Sequence, residues 1–417
     1  MTATRPAPGW SLEQWLAWLE QGPRGGIVLG LDRVARVLDR LAPAARPTLT
    51  VAGTNGKGSC AHFAAQLAHA CGRRVGLYTS PHLLDFGERI RVDGVPCERT
   101  KLIDTFARVE AARGDVMLTY FEFTTLAALC LFDDADVDLR VLEVGLGGRL
   151  DAVNAIDADA CVITSIGLDH VAELGDSLDG IAREKAGVAR PGRAAVMAMP
   201  EPPVALREAL DGIGARSRSV GVVADAADGG WRIDGFDTAL PAPVIAGDAV
   251  RRNLAAAAIG LTETGMDAAT IAAALPGAVT AFSLPGRQQA HGDLILDIAH
   301  NVEAAESLAH GLVLAAALGQ RHGRWRIVLG MLADKPVEGV AQVLAPLAAG
   351  WVCTGLPGPR GMTGDMLAGR VAGAGMTDVV AAHDVAEAVA IARASRTGDE
   401  SILVTGSFLT VAGALRA

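Results

Sequence analysis

Between Val51 and Cys60 the chain reads VAGTNGKGSC, and here its residue types first suggest chemistry. Gly53, Gly56 and Gly58 let the backbone turn tightly with its N–H groups exposed, and Lys57 adds a point charge for an anion. Ser59 falls in the first turn of the helix expected to follow, whose positive end favours phosphate. The stretch departs twice from the common pattern G-x-x-x-x-G-K-[ST]. Gly53 and Gly56 are only three apart, and Gly58 separates Lys57 from Ser59. Three glycines, a lysine and a serine after an apolar run still point to a nucleotide site, of another subclass, rather than to a turn with a solvated lysine.

Other candidates are scattered along the chain. Glu143 ends an apolar run and precedes GLGGRLDAVN, a position suited to a hard cation such as Mg²⁺. GLGG does not make the dinucleotide pattern G-x-G-x-x-G, because Leu150 stands at the third glycine. His170 in GLDH reads either as a metal ligand or as a structural histidine, and imidazole is not the first choice for Mg²⁺. Lys185 in REKAGV reads, on residue type alone, as a surface lysine beside Glu184. Asp297, His300 and Asn301 in LDIAHN, with Arg287, could bind ribose, base and phosphates; the alternative is that Asn301 caps the next helix. His62 and His69 read as packing or surface residues.

These residues need elements to hold them. Leu31, Val34, Leu38 and Leu41 recur at helical spacing, so the first fifty residues read as short helices. TLTVAGTNGKGSCAHFAAQLAHACG then reads as strand, turn and a helix closed by Gly72, and RRVGLYTS as the next strand. LRVLEVG and ACVITSIG repeat the grammar, which implies a parallel sheet covered by helices. Ligands sit at the carboxyl ends of such strands, so Thr79–Ser80, Glu143 and Asp169–His170 should gather near the glycine loop. A break at TAFSLPGRQQ precedes a smaller α/β unit of about five strands. The expectation is an ATP-binding α/β domain over 1–284 and a Rossmann-like α/β domain over 285–417, with a cleft between them.

The totals exclude other classes. The chain has 417 residues, half of them apolar, a composition for two or three globular domains without a disorder signature. A net charge of −10 argues against nucleic acid or a membrane surface as partner. Six cysteines without a C-x-x-C pair read as reduced thiols, and the start MTATRPAPGW has no apolar signal core. The expectation is a cytoplasmic, monomeric protein acting on small molecules.

Taken together, GTNGKGS, TSPHL, ERI, FEFTT, EVGLGGRLDAVN, GLDH, EKAG, PGR, AHN and TGSF resemble, in this order, the folylpolyglutamate synthase and dihydrofolate synthase family of Mur-ligase-like ATP-dependent ligases. The likeness runs from about residue 25 to the C-terminus, and the family's loop has the shortened form seen here. It implies a P-loop α/β domain followed by a Rossmann-like domain, as in the central and C-terminal parts of Mur ligases. It implies that Gly53, Thr54, Asn55, Gly56, Lys57, Gly58 and Ser59 hold the ATP phosphates, and that Ser80, Glu143 and His170 are magnesium ligands. Lys185 resembles a lysine carbamylated in the family, whose carbamate helps to hold a second metal. That requires loss of its proton, against an ordinary lysine pKa of about 10.4. Asn253, Arg287, Asp297 and His300 correspond to nucleotide contacts, and Phe121 and Asp151 to the pterin site. Lys57, His170 and Lys185 would serve catalysis. Ile298, where the family has glycine, and Pro336, where it has an acid, depart from the pattern.

The implied activity joins L-glutamate to dihydropteroate and to reduced folates. LDAVN is more similar to the dihydropteroate-using members, which favours a bifunctional enzyme over a folylpolyglutamate synthase alone. A cell-wall Mur-type ligase would need a nucleotide-sugar domain before the loop. A P-loop ATPase acting as a switch would hydrolyse ATP without glutamate.

Overall fold

The computed structural model describes residues 6, 9–21, 28–224, 230–317 and 323–417. The chain divides into two compact units. One comprises Met1–Val223, Arg232–Leu240 and Arg252–Ala278; the other comprises Ala224–Trp231, Pro241–Arg251 and Val279–Ala417. No helix among the described residues is long and apolar enough to cross a membrane.

The first unit is built on β1 (Thr48–Ala52), β2 (Val75–Tyr78), β3 (Ile90–Val92), β4 (Val95–Pro96), β5 (Leu139–Glu143), β6 (Ala160–Ile163), β7 (Ala194–Met197) and β8 (Arg216–Ser219). Their order is β4-β3-β2-β5-β1-β6-β7-β8, parallel except that β3 runs antiparallel to both its neighbours, β2 and β4. Every residue of β1, β5, β6 and β7 is buried, as strands covered on both faces require. The edge strand β8 reads RSRS, is exposed throughout, and sends Arg216 and Arg218 to Glu263. Charges on an edge discourage pairing with another chain.

Helices α1 (Leu12–Gln21), α2 (Asp32–Leu41), α3 (Lys57–Ala70), α4 (Arg99–Arg113) and α5 (Tyr120–Asp134) come before β5. Trp15, Phe106 and Phe123 meet edge to face, at 5.9 Å and 5.4 Å, and tie α1 and α4 to α5. After β6 come α6 (Val171–Leu174), α7 (Leu178–Ala186), α8 (Val204–Ile213) and α9 (Asp248–Glu263). The chain leaves β1 for β2 across β5, and leaves β5 for β6 across β1. The direction of winding therefore reverses at this central pair, and a crevice opens at their carboxyl ends.

The second unit holds β11 (Gln289–His291), β12 (Leu294–Leu296), β13 (Trp325–Leu329), β14 (Ala348–Thr354), β15 (Val379–Ala382) and β16 (Ser401–Thr405); β9 (Val222–Ala224) and β10 (Trp231–Ile233) pair separately. Its sheet order is β11-β12-β16-β13-β14-β15, over a core that includes Trp325, Ile327, Leu329 and Trp351. Five strands are the apolar runs read from the sequence. The sixth, β11, is short, polar and antiparallel to β12.

Candidate active site

The glycine loop leaves β1 where the winding reverses. Gly53 has φ of +149°, and a Cβ there would lie 1.9 Å from Thr164 Oγ1 and 3.1 Å from Ser165 N. Thr164 cannot easily yield, because its hydroxyl donates to Asn55 O at 2.6 Å. Ser165 O accepts from Thr54 N, Ser165 Oγ accepts from Asn55 N, and the Thr54 hydroxyl bonds both backbone groups of Gly167. Opposite, Gly56 (φ +84°) leaves room for Asn253, whose Nδ2 would stand 2.3 Å from an added Cβ. The residues after β6 therefore shape the loop on one side and Asn253 on the other. Sequence reading passed over Thr164 and Ser165; their signal was a pair of hydroxyls ending an apolar strand.

Two lysines converge on one carbonyl. Lys57, the first residue of α3, donates from Nζ to Gly53 O (3.0 Å) and Thr54 O (3.1 Å). Lys185 Nζ donates to the same Gly53 O at 2.9 Å. Lys185 is 3% exposed, so the surface reading of its residue type is corrected. The cause is helical geometry: Ile181, Ala182, Lys185 and Ala186 form the inward stripe of α7. Burial, and then the charge of Lys57, push its pKa from 10.5 to about 7, against weaker opposition from Asp169, Glu184 and Asp151.

Carboxylates line the other side. Glu143, buried at the end of β5, accepts from Ser80 N at 3.1 Å, and both its oxygens lie 3.7 Å from where a Gly58 Cβ would be. Ser59 is buried in the same first turn of α3. Asp151 is 3% exposed and accepts from Leu146 N and Val153 N, each at 3.0 Å. Burial raises its pKa to about 6 despite these bonds and the pull of Lys57. The Phe121 ring packs 5.7 Å from Tyr78, and a Cβ on Gly145 would fall 2.5 Å from it. A Cβ on Gly148 would meet Glu184 O at 2.8 Å. The GLGG glycines thus admit an aromatic ring and a helix backbone, which explains the stretch without a dinucleotide.

His170 is exposed, in a left-handed conformation (φ +52°) before α6, and its N–H donates to Asp169 Oδ1. It follows Gly167, which is tied to Thr54 as above. His62 Nδ1 lies 2.9 Å from Gly58 O, and burial pushes its pKa down to about 4, a packing histidine; His69 is exposed beside Asp93. In the second unit Arg287 stands 4.0 Å from Asp297, whose carboxylate accepts from Gln288 N and Ala299 N and is raised in pKa by burial. His300 Nδ1 lies 2.9 Å from Ile298 O. Asn301 accepts from Ala304 N and caps the helix Val302–Ala317, which supports the capping reading of that residue. Ile298 turns its bulk into the core at 3% exposure.

The arrangement suits an anion with a hard cation. Lys57 and the start of α3 present positive charge, with Glu143 beside the first turn of α3 and Ser80 donating to it from its backbone N–H. No three of His, Cys, Asp and Glu form a cage among the described residues. Magnesium needs none: it takes one or two carboxylates and completes its shell with water and phosphate oxygens. The donor set fits it.

The sheet order, the loop and the second α/β unit define a class. Residues 282–408 match the family model for the Mur ligase, glutamate ligase domain, and the chain is a Mur-type ATP-dependent ligase. A dihydrofolate synthase/folylpolyglutamate synthase of Escherichia coli is 39% identical over 411 residues, covering 96% of this chain and 94% of its own. One from Mycobacterium tuberculosis is 32% identical, over 95% of this chain and 91% of its own. Among solved structures, the E. coli FolC protein in complex with DHPP and ADP superimposes with a TM-score of 0.88 at 36% identity, over 99% of this chain and 98% of that one. A Yersinia pestis bifunctional folylpolyglutamate synthase/dihydrofolate synthase complexed with AMPPNP and Mn ion gives 0.87 at 38% identity, over 99% of both chains. The chain belongs to the dihydrofolate synthase/folylpolyglutamate synthase family.

Proposed function

We propose that this protein uses ATP to join L-glutamate to dihydropteroate, giving dihydrofolate, and to the γ-carboxylate of folate glutamates. The observation that carries the reading is Lys185: a buried amine on the carbonyl that also receives the loop lysine, with its pKa lowered to about 7. A loop that only hydrolysed ATP would have no use for it. A neutral amine can add to CO₂ and release a proton, becoming a carbamate anion, and Lys185 reaches that neutral form near pH 7. The relatives' complexes with ADP, DHPP, AMPPNP and Mn support the substrate and metal classes.

A carboxylate is a poor acyl donor, so the acceptor must first be activated. Its carboxylate oxygen attacks the γ-phosphorus of ATP, the bond to the β-phosphate oxygen breaks, and ADP leaves an acyl phosphate. The glutamate amine then attacks the acyl carbon, phosphate departs, and the amine proton is lost as the amide forms. The loop Gly53 to Ser59, through Lys57 and the amides that open α3, would offset charge on the transferring phosphoryl group. Phe121 gives the pterin a ring to stack on, and ionised Asp151 accepts from its N–H groups. Asn253, Arg287, Asp297 and His300 would hold the nucleotide. Bound Mg²⁺, one ion at Ser80, Glu143 and His170 and a second at carbamylated Lys185, would neutralise phosphate charge and align the reacting oxygens. The protein would act as a monomer in the cytoplasm.

The test is phosphate release by purified protein with ATP, Mg²⁺ and L-glutamate, supplied with either dihydropteroate or a reduced monoglutamyl folate. Release with both is expected, and Lys57→Ala should abolish ADP formation while the protein stays folded. Release with one acceptor alone would leave a single-function enzyme. Release that ignores both acceptors would overturn the ligase reading in favour of a plain ATPase.

A further inference from the structure

Within residues 121–125 of α5, Phe121 alone keeps part of its surface exposed; Glu122, Phe123, Thr124 and Thr125 are buried. Its ring lies 5.7 Å from that of Tyr78, tilted by 33°, and close against the backbone of Gly145. Tyr78 ends β2, is paired to β3 and β5, and is fully buried. Its hydroxyl lies 2.8 Å from Thr124 Oγ1 and 3.4 Å from Thr125 Oγ1. The Thr124 hydroxyl in turn lies 3.2 Å from Phe121 O. A carbonyl only accepts, so Thr124 donates to Phe121 O and accepts from Tyr78, which accepts from Thr125. The protons run one way, from Thr125 through Tyr78 and Thr124 to the Phe121 carbonyl. Burial pushes the Tyr78 pKa up to about 12, so the hydroxyl keeps its proton through the neutral range.

We infer that Tyr78 is a positioning residue for the acceptor: its ring and its hydroxyl hold Phe121 by side chain and by backbone, and so set where the pterin stacks. This rests on the pterin assignment of Phe121. A buried tyrosine hydroxyl generally finds a partner, so the bond to Thr124 alone would say little. Here one side chain meets Phe121 twice, ring on ring and, through Thr124, hydroxyl to carbonyl. A residue on a strand paired along both sides is also a rigid anchor, and sites are defined as much by such supports as by the groups that touch the ligand. Asp151 is among the charges that raise the Tyr78 pKa, which places the hydroxyl within the field of the other acceptor residue. The Tyr78 proton is committed to Thr124, so Tyr78 acts through Phe121 and touches no reacting atom.

The experiment compares wild type, Tyr78→Phe, Thr124→Val and the double variant in the phosphate-release assay, with KM measured separately for dihydropteroate, the reduced folate, ATP and glutamate. Tyr78→Phe keeps the ring and removes its hydrogen bonds; Thr124→Val keeps the branched shape and breaks the link to the carbonyl. Each should raise KM for both pterin acceptors about three- to tenfold, the factor one buried hydrogen bond supplies. KM for ATP and glutamate should stay within about twofold. The double variant should lose little more than the worse single one, because both changes cut the same chain. If Tyr78→Phe proves insoluble, Thr124→Val decides by the same split. Equal losses for all four substrates, or an unchanged acceptor KM in both variants, would make Tyr78 merely structural and overturn the inference. Phe121→Ala should raise the acceptor KM more than either. An unchanged acceptor KM there would remove the pterin assignment, and wild-type protein that turns over neither acceptor would remove the proposed function; each takes the inference with it, and the two results are distinguishable.

Discussion

Replacing Lys185 with methionine should stabilise the ligand-free protein while destroying its activity. Lys185 is 3% exposed, and its pKa falls from 10.5 to about 7. The unfolded chain keeps this lysine protonated up to about pH 10.5, whereas the folded chain gives up its proton near pH 7. Between those values the unfolded state binds more protons, so stability rises with pH through that window. The penalty is complete below about pH 7. The fall from 10.5 to about 7 corresponds to about 5 kcal/mol, of which about 4 kcal/mol remains at pH 7.

Part of this is offset by the bond from Nζ to Gly53 O, worth about 1 kcal/mol. Methionine fills the volume of the lysine stem without its charge. Lys185→Met should therefore gain about 3 kcal/mol at pH 7, and the gain should shrink to nothing by about pH 10. The assay is urea unfolding of both proteins, without ligands and in CO₂-free buffer, near pH 6.5 and near pH 9.5. A variant no more stable than wild type at the lower pH, with the same difference at both, would refute the claim that folding buries an unfavourable charge here. Activity should be lost whatever the stability result.

Two further outcomes follow from the same geometry. Gly53→Ala should lose about 3 kcal/mol or more, since φ of +149° costs an L residue about 1–3 kcal/mol and its Cβ would strike Thr164 Oγ1. Thr164→Ala removes the obstacle, so the double variant should be more stable than the sum of the singles by about 1 kcal/mol; additivity in a denaturation cycle would contradict the clash. KM for dihydropteroate should rise as pH falls through about 6, where buried Asp151 takes up a proton and loses acceptor capacity. In Asp151→Asn that KM should be raised and flat across the same range, and a wild-type profile without the break would detach Asp151 from the pterin.

Much of the site was legible because its chemistry is local in sequence. Gly53 to Ser59 lie in one turn, and the meeting of Ser80 and Glu143 with them follows from strand order in a parallel sheet. What escaped was set by contacts that periodicity does not encode. RSRS of β8 has no apolar face to announce it, and its pairing depends on β7 and Glu263. The β3–β4 hairpin carried a usable signal in Asp93–Gly94, both at positive φ as a two-residue turn requires, but its strands are too short to show alternation. Lys185 misled because lysine usually faces water, whereas the stripe of α7 on which it falls faces inward. The pterin assignments came from the family likeness alone, since neither an aromatic residue nor an Asp in a loop marks its ligand by type.

The loop and the buried lysine are one device. Gly53 lacks a side chain so that Thr164 can close on the loop, and the carbonyl this exposes receives Lys57 and Lys185 together. Two like charges on one acceptor repel, and that repulsion adds to burial in freeing the Lys185 amine of its proton. A group held at such a cost to stability is expected where reactivity needs it. On the proposed function the loop would have a second use besides holding nucleotide: through Lys57 it would tune the amine proposed to become the carbamate, so that carbamylation and phosphate binding would draw on the same few residues.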